Sequence, residues 1–279
     1  MVNASSDIAV RVGAASSSGR VRSVNEDSFL AEFPLYVVAD GMGGHAAGDR
    51  ASALAVDALR RLAGRALSAL DVQAALDLAG EQVRDLASPD GSGAGAGTTV
   101  SGAVLVEQGG AAYWLVVNLG DSRVYVLEDG LLRQVTVDHS VVQELLDSGD
   151  LDPDEAGRHP ERHVVTRALG TPGPADPDFW LLPVTAGQRL LICSDGLTTE
   201  LDHGKIEQLL QDDPDPQGAV DALLEAALQA GGRDNVTVLV IDAFTSGPLG
   251  ADHTRPRPTA VDAVDGVDER TRPRKDPTA

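Results

Sequence analysis

The sequence predicts an α+β fold. Three observations predict it: short aliphatic runs of strand length, segments whose apolar residues recur every three or four positions, and Gly, Asp and Pro clusters between them. Asp7 to Gly13 and Ser28 to Phe33 read as short strands. Leu35-Tyr36-Val37-Val38-Ala39 is an unbroken apolar run and reads as a buried strand leading into Asp40. His45 to Arg65 has helical spacing through Ala46, Ala53, Leu54, Val56, Ala58, Leu59 and Leu62. Asp71 to Ala87 follows as a second helix, with Val72, Ala75, Leu76, Leu78, Ala79, Val83 and Leu86 as its apolar face.

Ser88 to Gly97 is rich in Gly, Ser and Pro and predicts a loop. Three strands follow, Thr98 to Val106, Ala111 to Leu119 and Arg123 to Glu128. Glu128-Asp129-Gly130 predicts a hairpin turn, because Asp-Gly tolerates the positive φ of tight turns. Ser140 to Asp147 reads as a short helix. The stretch 149–177, rich in Asp, Pro, Gly and His, reads as a long irregular excursion, and loops of that length in a compact domain are usually functional. Gln188 to Cys193 is a strand, Ile206 to Leu210 and Gln217 to Ala230 are helices, and Val236 to Ala243 is the last strand. Beyond it apolar periodicity stops, so residues 244–279 read as a disordered Pro/Asp/Arg-rich tail after a domain of residues 1–243.

The chain has 279 residues and a net charge of −21, which argues against binding to nucleic acid or to anionic membrane. Acidic and basic residues balance from Phe244 onward, so the excess lies in the domain. Cys193 is the only cysteine, which excludes an intramolecular disulfide and fits a reducing cytosol; at the end of an apolar strand it reads as a core residue. The N-terminus lacks the pattern of a signal peptide, and no apolar run approaches the ~20 residues needed to span a bilayer. The expected location is the cytoplasm. The excess of Arg over Lys and the abundance of Ala suggest a GC-rich bacterial genome.

Four acidic clusters carry the chemistry: Asn25-Glu26-Asp27, Asp40-Gly41-Met42-Gly43-Gly44, Ser194-Asp195-Gly196 and Gly232-Arg233-Asp234-Asn235. Three of them abut apolar strands. An ionised carboxylate is costly to bury unpaired, and few Lys or Arg stand beside these. Metal cations are the economical neutralising partner, and all-oxygen ligands suit hard ions such as Mg²⁺ or Mn²⁺.

These clusters, with Gly19-Arg20-Val21-Arg22-Ser23-Val24 before the first, Gly97-Thr98-Thr99, Asn118-Leu119-Gly120-Asp121-Ser122-Arg123 and Val236-Thr237, resemble the ordered motif set of the PP2C (PPM) metal-dependent serine/threonine phosphatases, in the bacterial form. The resemblance spans residues 7 to 243. It implies a central antiparallel β-sandwich flanked by helices, with 149–177 as a flap subdomain. It implies two core Mn²⁺ or Mg²⁺ ions bridged by Asp40, with the Gly41 carbonyl ligating one of them; Asp195 and Asp234 would complete the first ion's protein ligands, and Glu26 would serve the second directly or through water. Asp27 would orient a ligand or a metal-bound water. Asp121, which on position alone reads as a turn aspartate, would share a third, weaker ion with Asp195. Arg22 would grip the substrate phosphoryl group through its planar guanidinium; Arg20 is the lesser candidate.

The implied reaction is in-line attack of a metal-bridging hydroxide on phosphoserine or phosphothreonine in proteins, with Asp40, Asp195 and Asp234 essential. Met42 stands where relatives from eukaryotes carry a histidine proposed as general acid, and methionine cannot donate a proton. No histidine is assigned that role; a metal-bound water takes it. Two alternatives remain: the same fold acting on a small phosphoester or an anti-sigma-type regulator, and a catalytically dead binding module, against which intact Asp40, Asp195, Asp234 and Arg22 argue. The expected partners are phosphorylated proteins, including serine/threonine kinases, and the expected state is a monomer.

Overall fold

The structure is a computed structural model, and it describes residues 8–43, 47–86 and 95–245. All described elements belong to one compact unit, Met1–Ser246. In chain order they are β1 (Ile8–Ser17), β2 (Asp27–Glu32), β3 (Leu35–Met42), α1 (Gly48–Arg60), α2 (Ala69–Arg84), β4 (Gly97–Thr98), β5 (Val100–Gln108), β6 (Ala111–Leu119), β7 (Arg123–Glu128), β8 (Leu131–Gln134), α3 (Val141–Ser148), α4 (Pro153–Ala156), β9 (Asp178–Pro183), β10 (Arg189–Cys193), α5 (Asp195–Glu200), α6 (His203–Asp212), α7 (Pro216–Ala230) and β11 (Val236–Thr245).

Two antiparallel sheets form, in the orders β1-β11-β10-β7-β8 and β2-β3-β5-β6-β9, with β4 pairing to β3. Alternation along the strands explains the layering. Tyr36 and Val38 of β3 face a core shared with Val124, Ile192, Leu239 and Ile241 of the other sheet. Val37 and Ala39 face the opposite way, onto Val56, Leu59 and Leu76 of α1 and α2. On the far side, Leu191, Val238 and Val240 pack under Ile206, Val220 and Leu223 of α6 and α7. Helices cover both outer faces, so the central strands are apolar on both sides and read as unbroken runs rather than alternating ones. The sandwich flanked by helices is present as expected.

The Asp129-Gly130 turn closes the β7–β8 hairpin with φ of 52° and 76°, the left-handed pair such a turn requires. Strand β1 outlasts its expected end because ten consecutive residues pair with β11, against a register that Ala14–Ser17 alone do not announce. Helix α1 begins at Gly48; the expected start at His45 lies outside the described residues, and the helix stops at Arg60, short of Gly64 with its φ of 73°. The expected loop 88–97 lies outside them too, except for residues 95 to 97, of which Gly97 enters β4. Strand β11 runs on through Phe244 and Thr245, which corrects the start of the expected tail; the rest of that tail is outside the described residues.

Four elements escape the sequence reading. β8 and α4 are only four residues long. α5 starts on Asp195 itself, and β9 is an edge strand ending in Pro183, a position that proline tolerates. The excursion 149–177 is less free than its composition suggests. Val165 pairs with Ser140, Leu169 with Thr98, and Thr166 N–H donates to the His139 carbonyl at 2.8 Å.

Candidate active site

Antiparallel pairing gathers the acidic clusters on one edge of the sandwich. Asp40, near the end of β3, stands directly opposite Asp27, the first residue of β2. The end of β10 at Cys193 pairs with Arg123 at the start of β7 and with Val238 near the start of β11. Strand ends therefore deliver Asp195, and strand beginnings deliver Asp121 and Asp234, to the same edge. Arg22, Glu26, Asp40, Asp121, Asp195 and Asp234 all line one cavity of about 500 Å³.

Neighbouring polar groups hold the backbone of each. Asp40 N–H donates to Thr99 Oγ1 at 3.1 Å, and the Asp40 carbonyl accepts from Thr99 N–H and Thr98 Oγ1, each at 2.9 Å. Gly41 N–H donates to the Glu26 carbonyl at 3.2 Å. A Cβ on Gly41 would run into the carbonyl oxygens of Gly48 and Glu26, so the close approach of three segments demands glycine there. Glu26 N–H donates to Asn235 Oδ1 at 2.8 Å, and Asn235 Nδ2 donates to the carbonyls of Ser18 and Val24. The Glu26 carboxylate accepts the Gly48 N–H at the start of α1, a helix whose own N-cap, Ala47, offers no side-chain acceptor. Gly120, with φ of 116° and pressed on Thr99, turns the chain so that Asp121 reaches the cavity.

Electrostatics at this edge are unfavourable for bare carboxylates. Burial pushes Asp40 well above the ordinary carboxylate range, and the charges of Asp27, Asp195, Asp121 and Asp234 add to it. Burial raises Asp121 to about 7, helped by Asp195, and Asp27 to about 6 against the hydrogen bonds from Thr237 and Ser194. Glu26 is raised by burial as well. Arg22 answers one of them directly: its Nη2 donates to Asp234 Oδ2 at 2.7 Å. Asp27 Oδ2 accepts from Ser194 and Thr237, whereas its Oδ1 is buried without a partner.

This donor set fits divalent metal: several carboxylates and the Gly41 backbone on one cavity wall, offering hard oxygen ligands, with the carboxylates mutually repelling. Among the described residues no three acidic, His or Cys side chains already converge on a point.

Every residue expected at the site lines the cavity except Asp27, which sits behind it. Arg20 is not on the wall; its N–H donates to the Gly232 carbonyl instead. Met42 lines the cavity. His139 is buried and bonded to Asp178, and His45 lies outside the described residues. The sequence reading gave His163 no role and missed Arg162; the excursion brings both to the wall, with His163 Nδ1 3.7 Å from Asp195 Oδ2, a contact that raises the imidazole pKa. It missed the scaffold role of Asn235, visible in sequence only as the Asp-Asn pair. It also missed Arg233, fixed by Glu200 through paired hydrogen bonds of 3.0 and 2.9 Å.

A sequence profile described as protein phosphatase 2C matches residues 16–230. The serine/threonine protein phosphatase PstP of Mycobacterium tuberculosis is 39% identical over 270 residues, covering 94% of this chain and 50% of that protein; the chain thus spans half the length of this relative. The serine/threonine phosphatase stp of Listeria monocytogenes is 35% identical over 237 residues, covering 80% of this chain and 92% of it. The crystal structure of the Mycobacterium tuberculosis phosphatase PstP/Ppp superposes with a TM-score of 0.77 at 38% identity, covering 84% of this chain and 98% of that one. A structure of the PstP catalytic domain in complex with 2 manganese ions gives 0.76 at 36% identity, covering 85% and 99%. Motifs, sheet order, acidic edge and these likenesses agree: the chain belongs to the protein phosphatase 2C family.

Proposed function

We propose that the chain is a Mn²⁺- or Mg²⁺-dependent phosphatase that hydrolyses phosphoserine and phosphothreonine in proteins. The observation that carries this reading is the single cavity lined by five carboxylates and Arg22. Asp40, the Gly41 carbonyl, Asp195, Asp234 and Glu26 would hold two ions, and Asp121 with Asp195 a third and weaker one. When bound, such a pair of ions activates a water as nucleophile and clamps the phosphoryl oxygens.

The chain's own part is binding and orientation. Arg22 turns from Asp234 to the substrate, where its two N–H edges grip two phosphoryl oxygens. Asp27, fixed by Ser194 and Thr237, keeps the Glu26 segment in register with the β10 end. A bond forms between phosphorus and a water oxygen as the bond to the Ser or Thr oxygen breaks. The leaving alkoxide takes its proton from water in the cavity, since Met42 carries none.

The proposed substrates are phosphorylated proteins, serine/threonine kinases among them, and the proposed catalytic domain ends with β11. The chain is proposed to act as a cytoplasmic monomer; no helix among the described residues is long and apolar enough to cross a membrane. The test is turnover of phosphothreonine peptides beside a small phosphoester, with Mn²⁺ and then chelator. Release of phosphate from peptides that stops with chelator and returns with Mn²⁺ supports the reading. Turnover in metal-free buffer, or on small phosphoesters alone, overturns it.

A further inference from the structure

Helix α3 is anomalous for this fold. Its ends are well made: Ser140 Oγ accepts the Gln143 N–H at 3.2 Å, and Gly149 closes it in the left-handed conformation at φ of 79°. Yet none of its residues is buried, whereas α1, α2, α6 and α7 each bury apolar residues in a core. Val142 and Leu146, four residues apart, share one face of α3. That face looks into a second cavity of about 300 Å³, with Ala156 of α4 beside it.

The opposite wall of this cavity is polar and charged. Arg123 forks onto Asp138 through Nε at 2.9 Å and Nη2 at 2.7 Å, so these two charges offset each other, and Arg162 stands on the same lining. Asp121, Asp195 and His163 line this cavity as well as the catalytic one, so the two share a wall. A chain whose phosphorylated residue enters the first therefore has its neighbours at the mouth of the second. Val142, Leu146 and Ala156, left facing an open cavity whose remaining wall is polar and charged, gain by burial against another apolar group.

Resting on the phosphoprotein reading, we propose that this cavity is a substrate subsite. It receives an aliphatic or thioether side chain that flanks the phosphorylated residue, and Val142, Leu146 and Ala156 form its apolar wall.

The experiment uses the full chain with Mn²⁺ and phosphothreonine peptides carrying Leu, Met, Phe, Ala, Asp or Lys at each neighbouring position. Rates are normalised to p-nitrophenyl phosphate, which has no flanking residue. The expected result is one position where Leu or Met exceeds Ala and Asp in kcat/KM by about tenfold, the scale at which an apolar pocket discriminates. In Leu146→Asp that preference should vanish. In Leu146→Ala, which enlarges the pocket without adding charge, the optimum should move from Leu towards Phe, a change that mere loosening of the flap does not produce. A flat profile, or the wild-type profile in both variants, overturns the subsite while leaving phosphoprotein hydrolysis standing. If p-nitrophenyl phosphate is hydrolysed and no phosphopeptide is, the substrate reading falls and the subsite with it.

Discussion

Arg22 and Asp234, 212 residues apart in sequence, are joined by a single hydrogen-bonded ion pair, Nη2 to Oδ2 at 2.7 Å. Both are partly exposed at the cavity, so the pair is weak enough to exchange partners. The guanidinium that would grip a phosphoryl group is thus parked on a carboxylate that would hold metal. Metal held at Asp234 would compete for that carboxylate and would free the guanidinium for a substrate phosphoryl group.

Replacing Arg22 therefore separates two properties. Arg22→Ala should raise KM for phosphopeptides by about tenfold or more, the loss of a bidentate charged contact. Mn²⁺ affinity measured by calorimetry should stay at least as tight as in the wild type, because Asp234 is freed. Arg22→Lys should recover KM only in part, as an ammonium lacks the fork. A fall in metal affinity in Arg22→Ala would show that the pair builds the metal site rather than competing with it.

Asp40 suffers the greatest electrostatic crowding of the site and is proposed to touch both ions. Asp40→Asn should lower kcat by about a thousandfold, on the scale of losing a principal electrostatic contribution to catalysis. It should also raise the melting temperature of metal-free protein, since a buried carboxylate facing four others is removed. The same variant should lose most of the stabilisation that Mn²⁺ confers on the wild type. Calorimetric melting with chelator and with Mn²⁺ reads both effects, and a lower metal-free Tm would contradict the crowding argument.

The raised carboxylates fix the sign of a pH effect. Asp27 at about 6 and Asp121 at about 7 take up protons in the folded state while the same groups in the unfolded chain remain ionised. The folded state then binds more protons, so stability falls as pH rises through these values. In chelator, Tm should decline by several degrees between pH 5.5 and pH 8. Saturating Mn²⁺ should flatten that slope, because bound cation holds the carboxylates ionised, and its stabilising effect should be greatest at the alkaline end. A metal-free Tm that climbs with pH would refute the burial assigned to these groups.

Asn235, on the cavity lining, ties the connection that carries Ser18, Val24 and Glu26 to the start of β11. Asn235→Ala leaves the Glu26 N–H and the carbonyls of Ser18 and Val24 without their partner. Unsatisfied buried groups cost about 1–3 kcal/mol, which corresponds to a Tm lower by roughly 5 °C. Because the Glu26 segment loosens, Mn²⁺ should bind more weakly as well. Wild-type stability would remove Asn235 from the scaffold.

The acidic clusters were legible in the chain because a carboxylate beside an apolar run contradicts the ordinary partition of polar and apolar residues, and a contradiction of that kind is local. So were the buried strands Leu35–Ala39, Leu190–Cys193 and Val236–Ile241, whose unbroken apolar character reflects helices on both faces, and the Asp129–Gly130 turn, whose backbone angles few residues tolerate. Asp40, Asp121, Asp195, Asp234, Glu26 and Arg22, named through the family resemblance of their motifs, all line one cavity.

Only the tertiary structure decided what those residues touch. That Asp27 stands behind the cavity depends on the β2–β3 register and on Ser194 and Thr237 arriving from other strands. That Arg22 rests on Asp234, that Asn235 clamps the Glu26 segment, and that Arg162 and His163 reach the wall are pairings between segments far apart in sequence. No periodicity records such contacts. Local sequence dictates which residues prefer strand, turn or burial; which distant partner meets each of them is set by strand order and sheet packing, and these become definite only when the whole core is closed.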